Sequence, residues 1–236
     1  MHHQLHIERT SNPISLDEGS RSAGSRLFFG GSFDPPHIGH AVLPEAIADR
    51  LRFEQVIYVP AARSPFKEHN PTADHHRLAM LNIALSELSD WKIWEQELAD
   101  AKLNGNKPSY WADTWAIVAQ MKLPGINRFL IGADQARSMH RWHRYTEYWR
   151  DAVVMLRDDL DSIDGLITEL GGRGVWSEDD LEHWRSQVVS LPTVDASSTN
   201  IREALADPNT RSQPIEGLNP IVQAYILEHN LYQLNS

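Results

Sequence analysis

The chain has 236 residues, 41% of them hydrophobic and 23% charged, enough apolar material for one domain, or a closely joined pair, with a buried core. Lys and Arg number 22 against 32 Asp and Glu, a formal charge of −10 that disfavours long-range attraction to nucleic acid or to an anionic membrane surface. No cysteine is present, so disulfides, thiolate nucleophiles and thiolate-bound metal centres are excluded, while 12 histidines keep imidazole chemistry available.

No apolar run reaches the roughly 18 residues of a membrane span, and the first residues carry no basic segment followed by an apolar core. A soluble, cytoplasmic protein that engages neither membrane nor nucleic acid is expected. Residues 1–26 are rich in Ser, His, Asn, Gly and charge and are expected to form a flexible leader, with 27–236 as a single domain that includes a short C-terminal helical part.

From Leu27 onward short apolar runs alternate with segments of helical period. Leu27 to Gly31, Val56 to Pro60, Trp91 to Glu95, Phe129 to Gly132, Val153 to Arg157 and Val188 to Pro192 predict six strands. Between them Leu43, Ala46, Ile47 and Leu51 form one apolar stripe, and Leu78, Leu81, Leu85 and Leu88 another. Strand and helix in alternation predict the α/β class, a doubly wound and mostly parallel sheet that binds ligands at the carboxyl ends of its strands. Near the end, Asn219 as cap and Pro220 at the first helical position open a helix with apolar Ile221, Val222, Tyr225 and Ile226.

The most informative stretch follows the first strand: Gly30-Gly31-Ser32-Phe33-Asp34-Pro35-Pro36-His37-Ile38-Gly39-His40, leading at once into an amphipathic helix. Two glycines ending a strand let backbone approach a ligand, and the helix beyond offers N–H groups and the positive end of its dipole to anions. His37 and His40 stand three apart with Gly39 between them, so both imidazoles can turn to one anion. A tight Pro-rich turn with incidental histidines, or a two-histidine metal site with Asp34 nearby, are the alternatives. The phosphate site needs no further ligand, and no metal site is expected. Far downstream, Ser197-Ser198-Thr199-Asn200-Ile201-Arg202 opens a short helix. Taken alone, capping and a surface charge explain it as well as phosphate binding does. Between the two stretches, Arg63, Lys67, His69 and Arg77 make the chain locally basic.

The first of these stretches resembles the Gly-x-Phe-x-Pro-x-His-x-Gly-His signature of the nucleotidylyltransferase superfamily, related to that of class I aminoacyl-tRNA synthetases. The second is similar to the Ser-Ser-Thr-x-Ile-Arg motif that closes the same family's ATP site. The resemblance implies a Rossmann-like nucleotidylyltransferase fold. It implies that Gly30, Gly31, Ser32, Phe33, His37, His40, Lys67, Ser197, Ser198, Thr199 and Arg202 bind ATP, with His37, His40 and Arg202 catalytic. His37 would hold phosphate, His40 would donate to the transition state, and Arg202 would contact the leaving pyrophosphate. Lys67 takes the place of the family's loop lysine, with Phe66 where histidine is usual.

The middle of the chain narrows the acceptor. Pro108-Ser109-Tyr110-Trp111-Ala112-Asp113-Thr114 resembles the Pro-Ser-Tyr-Thr-x-Asp-Thr motif of bacterial nicotinate-nucleotide adenylyltransferases, with Trp111 where threonine is usual. Gly132-Ala133-Asp134 and the loop containing Trp142 are similar to further segments of that family, as is the closing Tyr225-Ile226, His229-Asn230-Leu231-Tyr232. This likeness implies AMP transfer from ATP, with Mg²⁺ accompanying it, to nicotinic acid mononucleotide, a step of NAD biosynthesis. Ser109, Tyr110, Trp111, Asp113, Thr114, Gly132, Asp134, Trp142 and Arg157 would receive the mononucleotide and its ribose. Trp142 would stack on the pyridine and Asp134 would accept ribose hydroxyls. Nicotinamide mononucleotide or another phosphate acceptor, and a non-catalytic nucleotide sensor, are the alternatives.

Overall fold

The computed structural model describes residues 24–62, 71–105, 109–157 and 162–233. The expected leader lies outside them except for Gly24, Ser25 and Arg26. So do Arg63, Lys67 and His69, and of Arg157 only the backbone is described. The chain forms two compact units, one from Arg128–Thr193 and the other from Arg21–Asn127 with Val194–Ser236.

The larger unit begins β1 (Arg26–Gly31), α1 (Ile38–Leu51), β2 (Gln55–Pro60), α2 (Asp74–Leu85) and β3 (Trp91–Ile93), followed by α3 (Gln96–Leu103) and α4 (Trp111–Gln120). Its strands run parallel in the order β3, β2, β1, with Phe28 opposite Ile57 and Ile57 opposite Lys92. In β2 the residues from Val56 to Pro60 are buried in succession. Since successive side chains point to opposite faces, both faces of this strand are covered, as parallel sheets require.

The smaller unit carries β4 (Asn127–Gly132), α5 (Ala133–Ser138), short 3₁₀ turns at Met139–Arg141, Tyr145–Glu147 and Trp149–Asp151, then β5 (Ala152–Arg157), α6 (Ile163–Gly171), α7 (Glu178–Ser186) and β6 (Val188–Leu191). These strands are parallel in the order β4, β5, β6. Trp149, Trp176 and Trp184 pack on one another with ring centroids 4.8 to 5.4 Å apart, and Trp184 is fully buried. The chain then returns to the larger unit as α8 (Ser198–Ala206) and α9 (Pro220–Glu228).

All six predicted strands are present. The orders 3-2-1 and 4-5-6 are those of the two halves of the doubly wound α/β fold. Two boundaries differ from the sequence reading. β3 stops at Ile93 because Glu95 occupies the cap position of α3. α2 stops at Leu85 and not Leu88, because the Ser86 hydroxyl donates to the Ile83 carbonyl and closes the last turn. Among the described residues no helix is long and apolar enough to cross a membrane.

The C-terminal helix is held by a core of Met80, Ile201, Leu205, Leu218, Val222 and Ile226, and it starts as expected, with the Asn219 side chain accepting from the Ile221 and Val222 N–H groups. Ile221 departs from the predicted stripe and is 61% exposed, whereas Ile226 is 0% exposed. Ile226→Ala is therefore expected to cost about 2–5 kcal/mol and Ile221→Ala no more than about 0.5 kcal/mol in chemical denaturation. Equal losses would contradict this seating of the helix.

Candidate active site

The segment between β1 and α1 is held from several directions. Arg77, 1% exposed, extends from α2 and donates to the Ser32 carbonyl at 2.7 Å and the Thr72 carbonyl at 3.0 Å, while Asp74 balances its charge at 2.7 Å. Arg202 on α8 donates to the Asp34 carbonyl at 2.8 Å, and the Ser198 hydroxyl donates to the Pro35 carbonyl at 2.9 Å. A loop has no ladder for its own carbonyls, and here neighbouring elements supply the donors. The Asp34 carboxylate accepts the Thr72 N–H at 3.1 Å and the Tyr232 hydroxyl at 2.6 Å.

That framework presents the two histidines. His37 caps α1 and its backbone N–H donates to His40 Nδ1 at 3.2 Å, with the two rings 3.7 Å apart. The ring of Phe33, 1% exposed, sits edge-on to His40 at 5.2 Å, and the buried Tyr58 hydroxyl donates to the His40 carbonyl at 3.1 Å. A Cβ at Gly39 would lie 3.1 Å from the His37 ring, so the predicted need for glycine between the histidines is present in the packing. His37 Nδ1 is buried without a hydrogen-bond partner among the described residues. Burial lowers the His37 pKa from 6.5 to about 4, so its imidazole is neutral near neutral pH.

The glycines serve packing first. A Cβ on Gly30 would meet the Trp111 ring at 2.7 Å, and one on Gly31 would meet the Phe33 ring at 2.9 Å. Phe33 takes a left-handed φ of 49° to place that ring. Trp111 in turn stacks on Trp115 with planes 20° apart, and Trp115 meets Phe28 edge-on. The residue that departs from the family motif thus lies on the end of β1. Tyr110 beside it is 41% exposed, and Asp113 is exposed in the first turn of α4.

Ser109 and Thr114, expected to border the mononucleotide, turn their hydroxyls to one carboxylate. Both donate to Glu97, at 2.5 and 2.8 Å, and Thr114 is 3% exposed. Burial raises the Glu97 pKa, while the two hydroxyl donors act the other way. Around the second motif, Ser197 caps α8 by accepting the Thr199 N–H at 3.2 Å, and Arg202 also reaches the Thr199 hydroxyl at 3.2 Å. Capping and a charge aimed at the first motif's loop therefore occur in the same segment. At α1 the Ile38 N–H is taken by the Gly217 carbonyl at 2.8 Å.

Gly132, Asp134, Trp142 and Arg157 are carried by the smaller unit. Gly132 ends β4 and caps α5; a Cβ there would lie 2.6 Å from the Asp134 carboxylate, which is exposed in the first turn. Trp142 is half-buried and its indole N–H reaches the Ser138 hydroxyl at 3.4 Å. Arg157 ends β5 opposite Leu191.

Glu97 and Gly217 were not singled out in the sequence, and Tyr232 appeared there only within the closing segment, with no contact assigned to it. Arg77, counted there among the local basic residues, is buried and spends its donors on the Ser32 and Thr72 carbonyls. Glu97 carried one signal, an acidic residue in a segment that packs as α3.

A family model described as cytidylyltransferase-like matches residues 28–204. A protein of Laribacter hongkongensis named "Probable nicotinate-nucleotide adenylyltransferase" is 33% identical over 219 residues, 88% of this chain and 94% of that one. A protein of the same name from Gemmatimonas aurantiaca is 31% identical over 210 residues, 87% and 90% of the two chains. In fold, the chain is similar to Plasmodium falciparum nicotinic acid mononucleotide adenylyltransferase complexed with NaAD, with a TM-score of 0.66 at 18% identity over 89% of this chain and 98% of that one. The extent of these matches, with the two phosphate-type motifs joined at Asp34 and Pro35, places the chain in the cytidylyltransferase-like family, among the nicotinate-nucleotide adenylyltransferases.

Proposed function

We propose that the protein transfers AMP from ATP to nicotinic acid mononucleotide, giving nicotinic acid adenine dinucleotide and pyrophosphate. The observation that carries this reading is the His37–His40 pair at the start of α1, backed by a loop whose carbonyls are held by Arg77, Arg202 and Ser198. The mononucleotide phosphate oxygen attacks the α-phosphorus of ATP in line, the bond to the bridging oxygen breaks, and the electron pair leaves with pyrophosphate. No side chain is needed as a nucleophile. The protein's work is to position two anions and to stabilise charge on the departing group.

His37, neutral, offers an N–H to a phosphate oxygen without the cost of a buried charge, and His40 stands beside it as donor to the transition state. Ser198, Thr199 and Arg202 lie at the opening turn of α8, where helix N–H groups favour anions. Gly30, Gly31, Ser32 and Phe33 form the strand end and loop against which the nucleotide would lie, and Lys67 is the cation proposed for the loop outside the described residues. ATP enters as its Mg²⁺ complex, with the cation held by the substrate's phosphates and water. Among the described residues no group of three or more His, Cys, Asp or Glu side chains is arranged to hold a metal ion. For the acceptor, the smaller unit carries the proposed Trp142 for the pyridine and the exposed Asp134 carboxylate for ribose hydroxyls, with Gly132 and Arg157; the larger unit carries the proposed Tyr110, Trp111 and Asp113. Ser109 and Thr114 serve the acceptor by fixing Tyr110 and Trp111 through Glu97.

Pyrophosphate release with ATP and each pyridine mononucleotide in turn tests reaction and acceptor together. Turnover is expected with the nicotinate form, and turnover with the nicotinamide form alone would overturn the acceptor assignment. In the same assay His37→Ala and His40→Ala should each lower kcat/KM about 10²–10³-fold while folding normally, the loss typical of a donor to developing charge. Near-normal rates in both would sink the assignment. Proton linkage gives a separate expectation. Folded His37 titrates at about 4 and the unfolded chain's imidazole at 6.5, so between those values the unfolded state binds the extra proton. His37 therefore withdraws stability as pH falls through that window, and His37→Gln should flatten the decline in urea denaturation. A steeper decline in the variant would contradict the burial of this ring.

A further inference from the structure

We propose that Tyr232 is a positioning residue for AMP transfer: its hydroxyl holds the Asp34 carboxylate, and through Asp34 it sets the loop that carries His37 and receives Arg202. This inference rests on the function proposed above but concerns a residue outside both phosphate-type motifs.

The geometry is specific. Asp34 has a donor on each carboxylate oxygen, the Tyr232 hydroxyl at 2.6 Å on one and the Thr72 N–H at 3.1 Å on the other, while its carbonyl accepts Arg202 at 2.8 Å. A residue 198 positions downstream thus grips the side chain whose own backbone receives the catalytic-site arginine. Burial and the adjacent negative charge of Asp34 raise the Tyr232 pKa, so the phenol keeps its proton and remains a donor throughout the working range. A hydrogen bond to an ionised acceptor is among the stronger ones available to a side chain.

The C-terminal segment is built to deliver that hydroxyl. α9 is anchored by the core around Val222 and Ile226, and Tyr225 bonds to His76 Nδ1 on α2 at 2.9 Å. Beyond the helix the chain folds back, with the Leu231 N–H on the Ile226 carbonyl at 3.0 Å. Tyr232 itself adopts a left-handed φ of 58°. An aromatic residue is disfavoured there, and such a conformation persists where surrounding contacts over-determine it. The contact it gains is Asp34. Arg77 and Ser198 hold the neighbouring carbonyls of Ser32 and Pro35, and Tyr232 supplies, with the Thr72 N–H, the grip on the side chain between them.

Tyr232→Phe removes the hydroxyl and keeps the ring. It is expected to fold with a melting midpoint lowered by a few degrees, to lose about tenfold in kcat/KM for ATP, and to move the His37 NMR titration upward from about 4 as the loop loosens and water reaches the ring. Asp34→Asn should do the same, and the double variant should lose no more than the worse single variant, since both cut one connection. A merely structural role would lower the folded fraction while leaving the His37 titration and the KM for ATP of the folded protein unchanged. Wild-type kcat/KM with an unshifted His37 in Tyr232→Phe overturns the proposal, and so do losses that multiply in the double variant. If Tyr232→Phe does not fold, the same readouts on Asp34→Asn decide it. Absence of turnover in the wild-type protein would count against the function instead, and the His37 titration, which needs no substrate, would still test the positioning role.

Discussion

Asp34 is the residue on which the loop between β1 and α1 depends. Its carbonyl ties the first motif to the second through Arg202, and its carboxylate ties both to the residues before α2 and to the C-terminal segment through Thr72 and Tyr232. A Pro-rich loop between a strand and a helix has no regular ladder, so its polar backbone needs partners brought in from elsewhere. Here they come from α2 and α8, while the segment beyond α9 holds the Asp34 side chain. A loop fixed in this way before substrate arrives needs little reorganisation at the moment of reaction, which is where a positioning enzyme gains most of its rate.

The same packing sets the chemistry of the histidines. Phe33, made possible by a bare Gly31, presses on His40, and Gly39 leaves room for the His37 ring. Burial then holds His37 neutral. A charged imidazolium would attract phosphate more strongly at long range but would be costly to keep in that position. The overall charge of −10 is compatible with the proposed function, in which attraction to anions is local, from donors and helix termini.

The strands were legible because apolar runs such as Val56-Ile57-Tyr58-Val59 are long enough to be buried on both faces, and the tail helix because Asn219-Pro220 is a strong start signal. His37, His40 and Arg202 stood out by the spacing within their motifs, and the structure sets the two histidine rings side by side and Arg202 on the Asp34 carbonyl. Glu97 and Gly217 were not legible, and of Tyr232 only its place in the closing segment was, because the partner of each is far away in the chain or in another element. The Glu97 carboxylate becomes meaningful only when α4 brings Thr114 to it, and the Tyr232 hydroxyl only when α9 docks. The glycines were picked out as room for a ligand, and the packing shows a further reason for them: an added Cβ would meet Trp111 at Gly30, Phe33 at Gly31 and Asp134 at Gly132. A pattern marks where a side chain is forbidden, and only the fold identifies what takes its place.

In the proposed function this pre-built loop presents a neutral His37 to the phosphates of ATP. Following the His37 ring by NMR across pH, with and without a non-transferable ATP analogue, tests it most directly. The account predicts a titration near 4 in the free protein that moves upward when the polyanion binds, because adjacent negative charge favours the protonated ring. A His37 titration that the bound analogue leaves in place would contradict it.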